Sequence, residues 1–284
     1  MKLNRENRQR CVPLVPLLVL LLAVLASGQY AAAKSQDEVV PANTGRNRRA
    51  AAPPKTKFEE DVIKTSRGDL KITSVGHASL MFTFAGKIIH VDPAAQFADY
   101  SVLPKADLIL VTHEDPDHLD AKTVKMLSTG KTALIVCPHC SLYLPAGTIM
   151  INGETETVAG FKIEAVPAYN IVGRGGNGKP YTPRDSANGY VITFGDKRVY
   201  VAGVTENVPE VKALKQIDVA FLPLNDSGRG IALRTMNPIM FADTVKAIRP
   251  KILFPYNYGN NDPKAIVGLV KDEHGIDARI RDMK

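Results

Sequence analysis

The sequence predicts an α/β fold in which two β-sheets face each other and helices cover their outer surfaces, a four-layer αββα sandwich in a single domain. Three observations predict it. Short β-branched or alternating runs come in pairs around Gly-containing turns, as hairpin strands do. Near-continuous apolar runs at 107–112 and 217–222 suit strands buried on both faces. The order hairpin, helix, buried strand occurs twice, once in each half of residues 57–284. No short-period repeat points to a solenoid.

Taken in order, residues 70–75 alternate, and 80–84 and 87–91 flank the turn Ala85-Gly86. The run 107–112 ends on a polar segment. Asp120 is placed to cap a helix running through Leu127. Residues 133–136 and 161–166 read as strands, and 169–187 as a polar, Gly-rich loop. In the second half, 190–194 and 198–202 flank Gly195-Asp196. A short helix is expected at 209–215, a strand at 217–222, and a helix at 238–248 with Pro238 at its start. A strand at 251–254, a helix at 263–271 and a last strand at 278–280 complete the series.

The N-terminal region has a different character. Lys2, Arg5, Arg8 and Arg10 against Glu6 precede a Leu/Val-rich run and then small residues. This is the order of a secretory signal, expected over residues 1–33, and predicts export to a periplasmic or extracellular location. The apolar run is about 15 residues, short of the ~20 needed to span a bilayer, so no stable membrane span is expected once the signal is removed. Residues 34–56 hold a basic cluster and Pro53-Pro54 without apolar periodicity, and read as a disordered linker. The net charge of +7 sits mostly in these two regions; residues from Lys57 on are close to neutral. That excludes the basic face a nucleic-acid binder needs. A small-molecule substrate or ligand is the expected partner.

The chemistry concentrates in Thr112-His113-Glu114-Asp115-Pro116-Asp117-His118, just past a buried strand. Loops at strand C-termini are where α/β sheets hold ligands. Imidazoles and carboxylates together suit a divalent metal such as Zn, Mn or Fe.

Several separated segments then agree with one family. Val75-Gly76-His77-Ala78-Ser79, Ile89-His90-Val91-Asp92-Pro93, the segment from Thr112 to Asp120, Tyr200-Val201-Ala202-Gly203 and Pro255-Tyr256-Asn257-Tyr258-Gly259 resemble, in order, motifs of the metallo-β-lactamase fold superfamily. They look like its branch of ascorbate-6-phosphate lactonase and related lactonases, phosphodiesterases and phospholipases. The resemblance implies a metal-activated water that attacks an ester, lactone or phosphoester. It carries ligand roles to His113, Asp117 and His118, with Asp117 the candidate catalytic carboxylate, and makes His77 and Asp120 candidates for supporting roles around the ion.

The same resemblance implies departures. Asp115 stands where the signature has a second His. Val204 stands where the family has a bridging Asp, and Asn257 where it has a late His ligand. A further ligand His is expected before Asn188; 179–187 contain none, and Thr182 is the nearest equivalent. With six histidines in the chain, at 77, 90, 113, 118, 139 and 274, the expectation is one ion at most. It would be held by His113, Asp115, Asp117 and His118, with Glu206 and Asn257 as candidate substitutes. The rival expectation is a non-catalytic binding protein that kept the fold and lost the metal.

Cys137-Pro138-His139-Cys140 leaves three readings open: a local structural disulfide, a thiol-disulfide or accessory metal role, and idle thiols. Residues 173–178 are expected to form a mobile lid. Arg229 or Arg234 is placed to meet an anionic substrate.

Overall fold

The computed structural model describes residues 54–224 and 234–283. Two mixed seven-stranded sheets form the centre. In the first, β1 (Glu59–Thr65), β2 (Gly68–Gly76), β3 (Ser79–Phe84), β4 (Lys87–Val91), β5 (Leu108–Val111), β6 (Ala133–Val136) and β7 (Thr148–Ile149) lie side by side in chain order. The second runs in reverse chain order: β14 (Asp277–Ala278), β13 (Ile252–Tyr256), β12 (Val219–Pro223), β11 (Lys197–Val201), β10 (Ala187–Phe194), β9 (Phe161–Ala168) and β8 (Thr155–Val158). In both sheets the hairpin strands pair antiparallel and the buried apolar runs pair parallel.

Between the sheets, Phe82, Phe84 and Leu110 of the first meet Phe161, Phe194 and Phe221 of the second, all buried. Burying each such side chain stabilises the fold by roughly 1.5–3 kcal/mol. The outer face of the first sheet is covered by α1 (Ala121–Leu127), whose Val124 and Leu127 pack with Val75, Ile109 and Val111. Helices α2 (Pro209–Lys212), α3 (Pro238–Ile248) and α4 (Pro263–Val267) contribute Val211, Phe241, Val245 and Ile266 to the core. The architecture is the expected αββα sandwich. No helix among the described residues is long and apolar enough to cross a membrane.

The structure departs from the sequence expectations in a few places. β1 was not expected: Glu59, Glu60 and Lys64 face out and only Asp61 and Ile63 are buried, so apolar alternation is absent. β7 and β8 are short and mostly exposed, for the same reason. The helix expected at 209–215 ends at Lys212, and that at 263–271 turns into a 3-10 segment at Gly268–Val270. Lys55, assigned to the linker by composition, is tied into the fold. It bridges to Ala98, and its Nζ lies 2.8 Å from Asp282 Oδ2.

Candidate metal centre

The site lies where the C-terminal ends of the parallel strands meet. Two backbone hydrogen bonds join the sheets there: Asn188 N–H donates to Thr112 O at 3.0 Å and Asn257 N–H to His77 O at 2.9 Å. Gly203, just past β11, runs directly against this seam. Its φ is +67°, and a Cβ there would lie 2.8 Å from Asn188 O and 2.9 Å from Thr112 Cβ, so only glycine fits.

Asp92, one residue past β4, organises the first half of the site. It is wholly buried. Its carboxylate accepts from Thr112 N–H at 2.7 Å and Thr112 Oγ1 at 2.6 Å, and Oδ2 lies 2.8 Å from His118 Nδ1. Its carbonyl accepts from Ser79 Oγ. The carboxylate fixes the His118 proton on Nδ1 and leaves the Nε2 lone pair facing inward, where Asn257 Nδ2 lies 3.2 Å away. Burial alone would lower the His118 pKa; the charge and hydrogen bond of Asp92 outweigh it and raise the pKa.

Beside His118, Asp117 Oδ2 lies 3.0 Å from His77 Nε2, and the His77 ring stacks on Phe97 with centroids 4.6 Å apart. Burial works to raise the Asp117 pKa. The hydrogen bond from His77 and the nearby imidazole charges prevail and hold the carboxyl below its usual range. One donor atom from each of His77, Asp117 and His118 falls within 4.8 Å of the others. Two imidazole nitrogens and a carboxylate, one imidazole oriented by a buried carboxylate, form a donor set that suits a divalent ion with open positions. His77, Asp92 and Asn257 all have positive φ, at 52°, 48° and 48°. Strained backbone of this kind clusters at functional sites.

The second half of the same loop is arranged differently. His113 is buried, and its Nδ1 accepts from Asp115 N–H at 3.1 Å. Its Nε2 lies 3.4 Å from Thr182 Oγ1 and 3.6 Å from Glu114 Oε2. Burial, then the charge of His118, lowers the His113 pKa. Asp115 Oδ2 accepts from Arg234 Nη1 at 2.8 Å, and the guanidinium lies 5.0 Å from the Tyr181 ring centroid. Val204 is a buried apolar side chain with no donor atom.

Of the other expected residues, Glu206 is placed for a different task. Its wholly buried carboxylate accepts from Ile171, Val172 and Gly173 N–H, each at 2.7 Å, and from Asn170 Nδ2 at 3.2 Å. With both oxygens taken up by backbone donors, it clamps the base of the loop that was expected to be a mobile lid. Asp120 caps α1, accepting from Lys122 N–H and Thr123 Oγ1. Cys137 and Cys140 form a disulfide with both residues buried, so no sulfur is exposed for exchange. His90 is a core residue: its Nε2 hydrogen-bonds Pro104 O at 3.0 Å, and burial lowers its pKa to about 4. Residues 225–230, including Arg229, lie outside the described residues.

Asp92, Thr112 and Asn170 are not among the residues the sequence pattern singles out. The signal for Asp92 was a lone carboxylate closing an apolar strand. Asn170 carried none: it donates to Arg234 O at 3.0 Å and accepts from Thr182 N–H at 2.9 Å, contacts only the fold creates.

This sandwich, with its ligand-type residues at the strand ends, defines a class: a family profile described as a Beta-lactamase superfamily domain matches residues 71–257. The chain belongs to that superfamily, with the metallo-β-lactamase fold, and within it to the UPF0173 metal-dependent hydrolase family. A UPF0173 metal-dependent hydrolase of Methanopyrus kandleri is 31% identical over 234 residues, covering 74% of this chain and 95% of the relative. One from Pelotomaculum thermopropionicum is 28% identical over 202 residues, covering 66% and 84%. Among solved structures, a Parabacteroides distasonis protein assigned as a metal-dependent hydrolase has 43% identity and a TM-score of 0.74, covering 80% of this chain and all of that one. The metallo hydrolase Igni18 of Ignicoccus hospitalis shares the fold at 22% identity and a TM-score of 0.60, covering 74% and 94%. The relatives' names imply a metal cofactor.

Proposed function

We propose that this protein is a hydrolase working with a single divalent ion held by His77, Asp117 and His118, and that it cleaves an ester, lactone or phosphoester. The observation that carries this reading is the convergence of one donor atom each from His77, Asp117 and His118 within 4.8 Å, with the His118 ring oriented by its 2.8 Å hydrogen bond to Asp92. A divalent ion in such a set supplies Lewis acidity and brings the pKa of a bound water to about 7.

The chain's own residues do the rest. Asp92 holds the His118 tautomer, and Asp117 stays ionised. A groove of about 450 Å³ lined by Ala95, Pro116, Leu119 and Tyr143 flanks the loop and offers room for an apolar substituent. We read Asp115, Val204 and Asn257 as replacements of ligands found elsewhere in the superfamily, in a protein of the lactonase-like branch. The Cys137–Cys140 disulfide supports reading residues 1–33 as a secretory signal, since such bonds persist in oxidising compartments.

A second reading, a binding protein without catalysis, is favoured by the other half of the loop, where His113 and Asp115 are engaged with Thr182 and Arg234. The two separate in an assay of the zinc- or manganese-saturated protein on aryl esters, lactones and phosphodiesters. The hydrolase reading expects turnover that a chelator and Asp117→Ala both abolish. Turnover that neither touches, or none in the saturated protein, contradicts it.

A further inference from the structure

Arg234 is held far more firmly than a half-exposed arginine needs to be. Its Nη1 donates to Asp115 Oδ2 at 2.8 Å, with the arginine side chain 51% exposed. Its guanidinium lies 5.0 Å from the Tyr181 ring centroid. Its backbone carbonyl accepts from Asn170 Nδ2, and that amide also donates to the buried Glu206. Asp115 is tied in turn to the donor set: its carbonyl accepts from His118 N–H at 2.8 Å and Leu119 N–H at 2.9 Å. A planar guanidinium is thus set against the loop that carries Asp117 and His118, with about half of the side chain exposed. An exposed ion pair adds only about 0–1 kcal/mol to stability, which gives folding little reason for this arrangement.

We propose that Arg234 recognises an oxyanion substituent, a phosphate or a carboxylate, on the molecule this site takes in. The guanidinium fork matches such groups in geometry and charge. Asp115 aims the fork, Tyr181 supports its face, and the Asn170–Glu206 network fixes the backbone from which it projects. The proposal rests on the hydrolase reading for calling that molecule a substrate; the binding itself is independent of metal-assisted chemistry.

Titration calorimetry of the purified protein with inorganic phosphate and with malonate tests it, in chelator-treated and zinc-saturated samples whose metal content is measured alongside. Arg234→Gln is expected to weaken the better anion about tenfold or more, and Arg234→Lys by a smaller factor, since the fork is lost and the charge kept. Asp115→Asn frees a donor and removes a negative charge, so it should tighten binding by about threefold. A purely structural ion pair would instead leave the affinity unchanged or lower it. If Arg234→Gln does not fold, Arg234→Lys decides, and affinity equal to wild type overturns the proposal. Wild type and Arg234→Gln agreeing within about twofold for both anions, or neither anion binding wild type, also overturns it. Which anion binds tighter assigns the substituent. Absent metal with the Arg234 effect intact would strike the hydrolase reading and leave this one standing.

Discussion

The two ends of the Thr112–His118 loop carry similar side chains and meet opposite fates. At the His118 end, the imidazole is backed by buried Asp92, and Asp117 and His77 stand beside it with donor atoms converging. At the His113 end, no carboxylate is hydrogen-bonded to the imidazole: Glu114 and Asp115 stand 3.6 and 3.7 Å away, Nδ1 is taken by a backbone N–H, and Asp115 pairs with Arg234. Ligand-type residues at ligand-like spacing therefore do not make a metal site by themselves. What stands behind each side chain decides how it is oriented: a buried carboxylate holds the His118 ring, and a backbone N–H meets that of His113.

The largest effect should come from removing that backing. Asp92→Ala leaves Thr112 and His118 with buried, unpaired donors and is expected to cost about 3–5 kcal/mol in urea unfolding. A loss below about 1 kcal/mol would mean that the two ends of the loop are supported alike.

His90 is an internal control, a buried imidazole with no carboxylate partner. Its pKa falls from 6.5 to about 4, whereas that of His118 rises. Because the folded value is depressed, the wild-type protein keeps its full stability above the unfolded pKa and loses it as pH falls from 6.5 toward 4. The shift corresponds to about 3 kcal/mol. Urea titrations at pH 7 and pH 4.5 should show this loss, and His90→Gln should remove most of it. Equal pH dependence in the two proteins would break the contrast.

A gentler change sharpens the comparison. Asp92→Asn keeps the shape but no longer holds the His118 proton on Nδ1, and should weaken metal binding about 10–100-fold with a smaller effect on folding. Competition with a chromogenic chelator measures it. The smallest effect belongs to the His113 end, where Asp115→Ala should cost no more than about 1 kcal/mol in unfolding and leave the metal content unchanged.

Much of the fold was legible because its strands announce themselves. The run 108–111 is wholly buried, and the Ala85-Gly86 and Gly195-Asp196 turns lie where the strands reverse. β1 was not legible, since an edge strand with one polar face has no apolar period to read. For the site, the residue types were visible and their partners were not. Asp92 reaches His118 because β4 and β5 pair in parallel with Val91 opposite Leu110, a register no local pattern encodes. Arg234 reaches Asp115 across 119 residues of chain, and Glu206 found its backbone partners only once the loop from Asn170 to Gly173 closed over it. His77, expected as a supporting residue, stands among the converging donors for the same reason: the β2–β3 turn meets the end of β13 only in three dimensions.

Metal content is the most direct test of the contrast between the two ends. The purified protein, incubated with zinc or manganese and desalted, should retain about one equivalent by elemental analysis, with Asp117→Ala and His118→Ala each losing it and Asp115→Ala keeping it. Less than about a tenth of an equivalent in wild type, or retention in Asp117→Ala and His118→Ala, would contradict a metal centre at the His118 end.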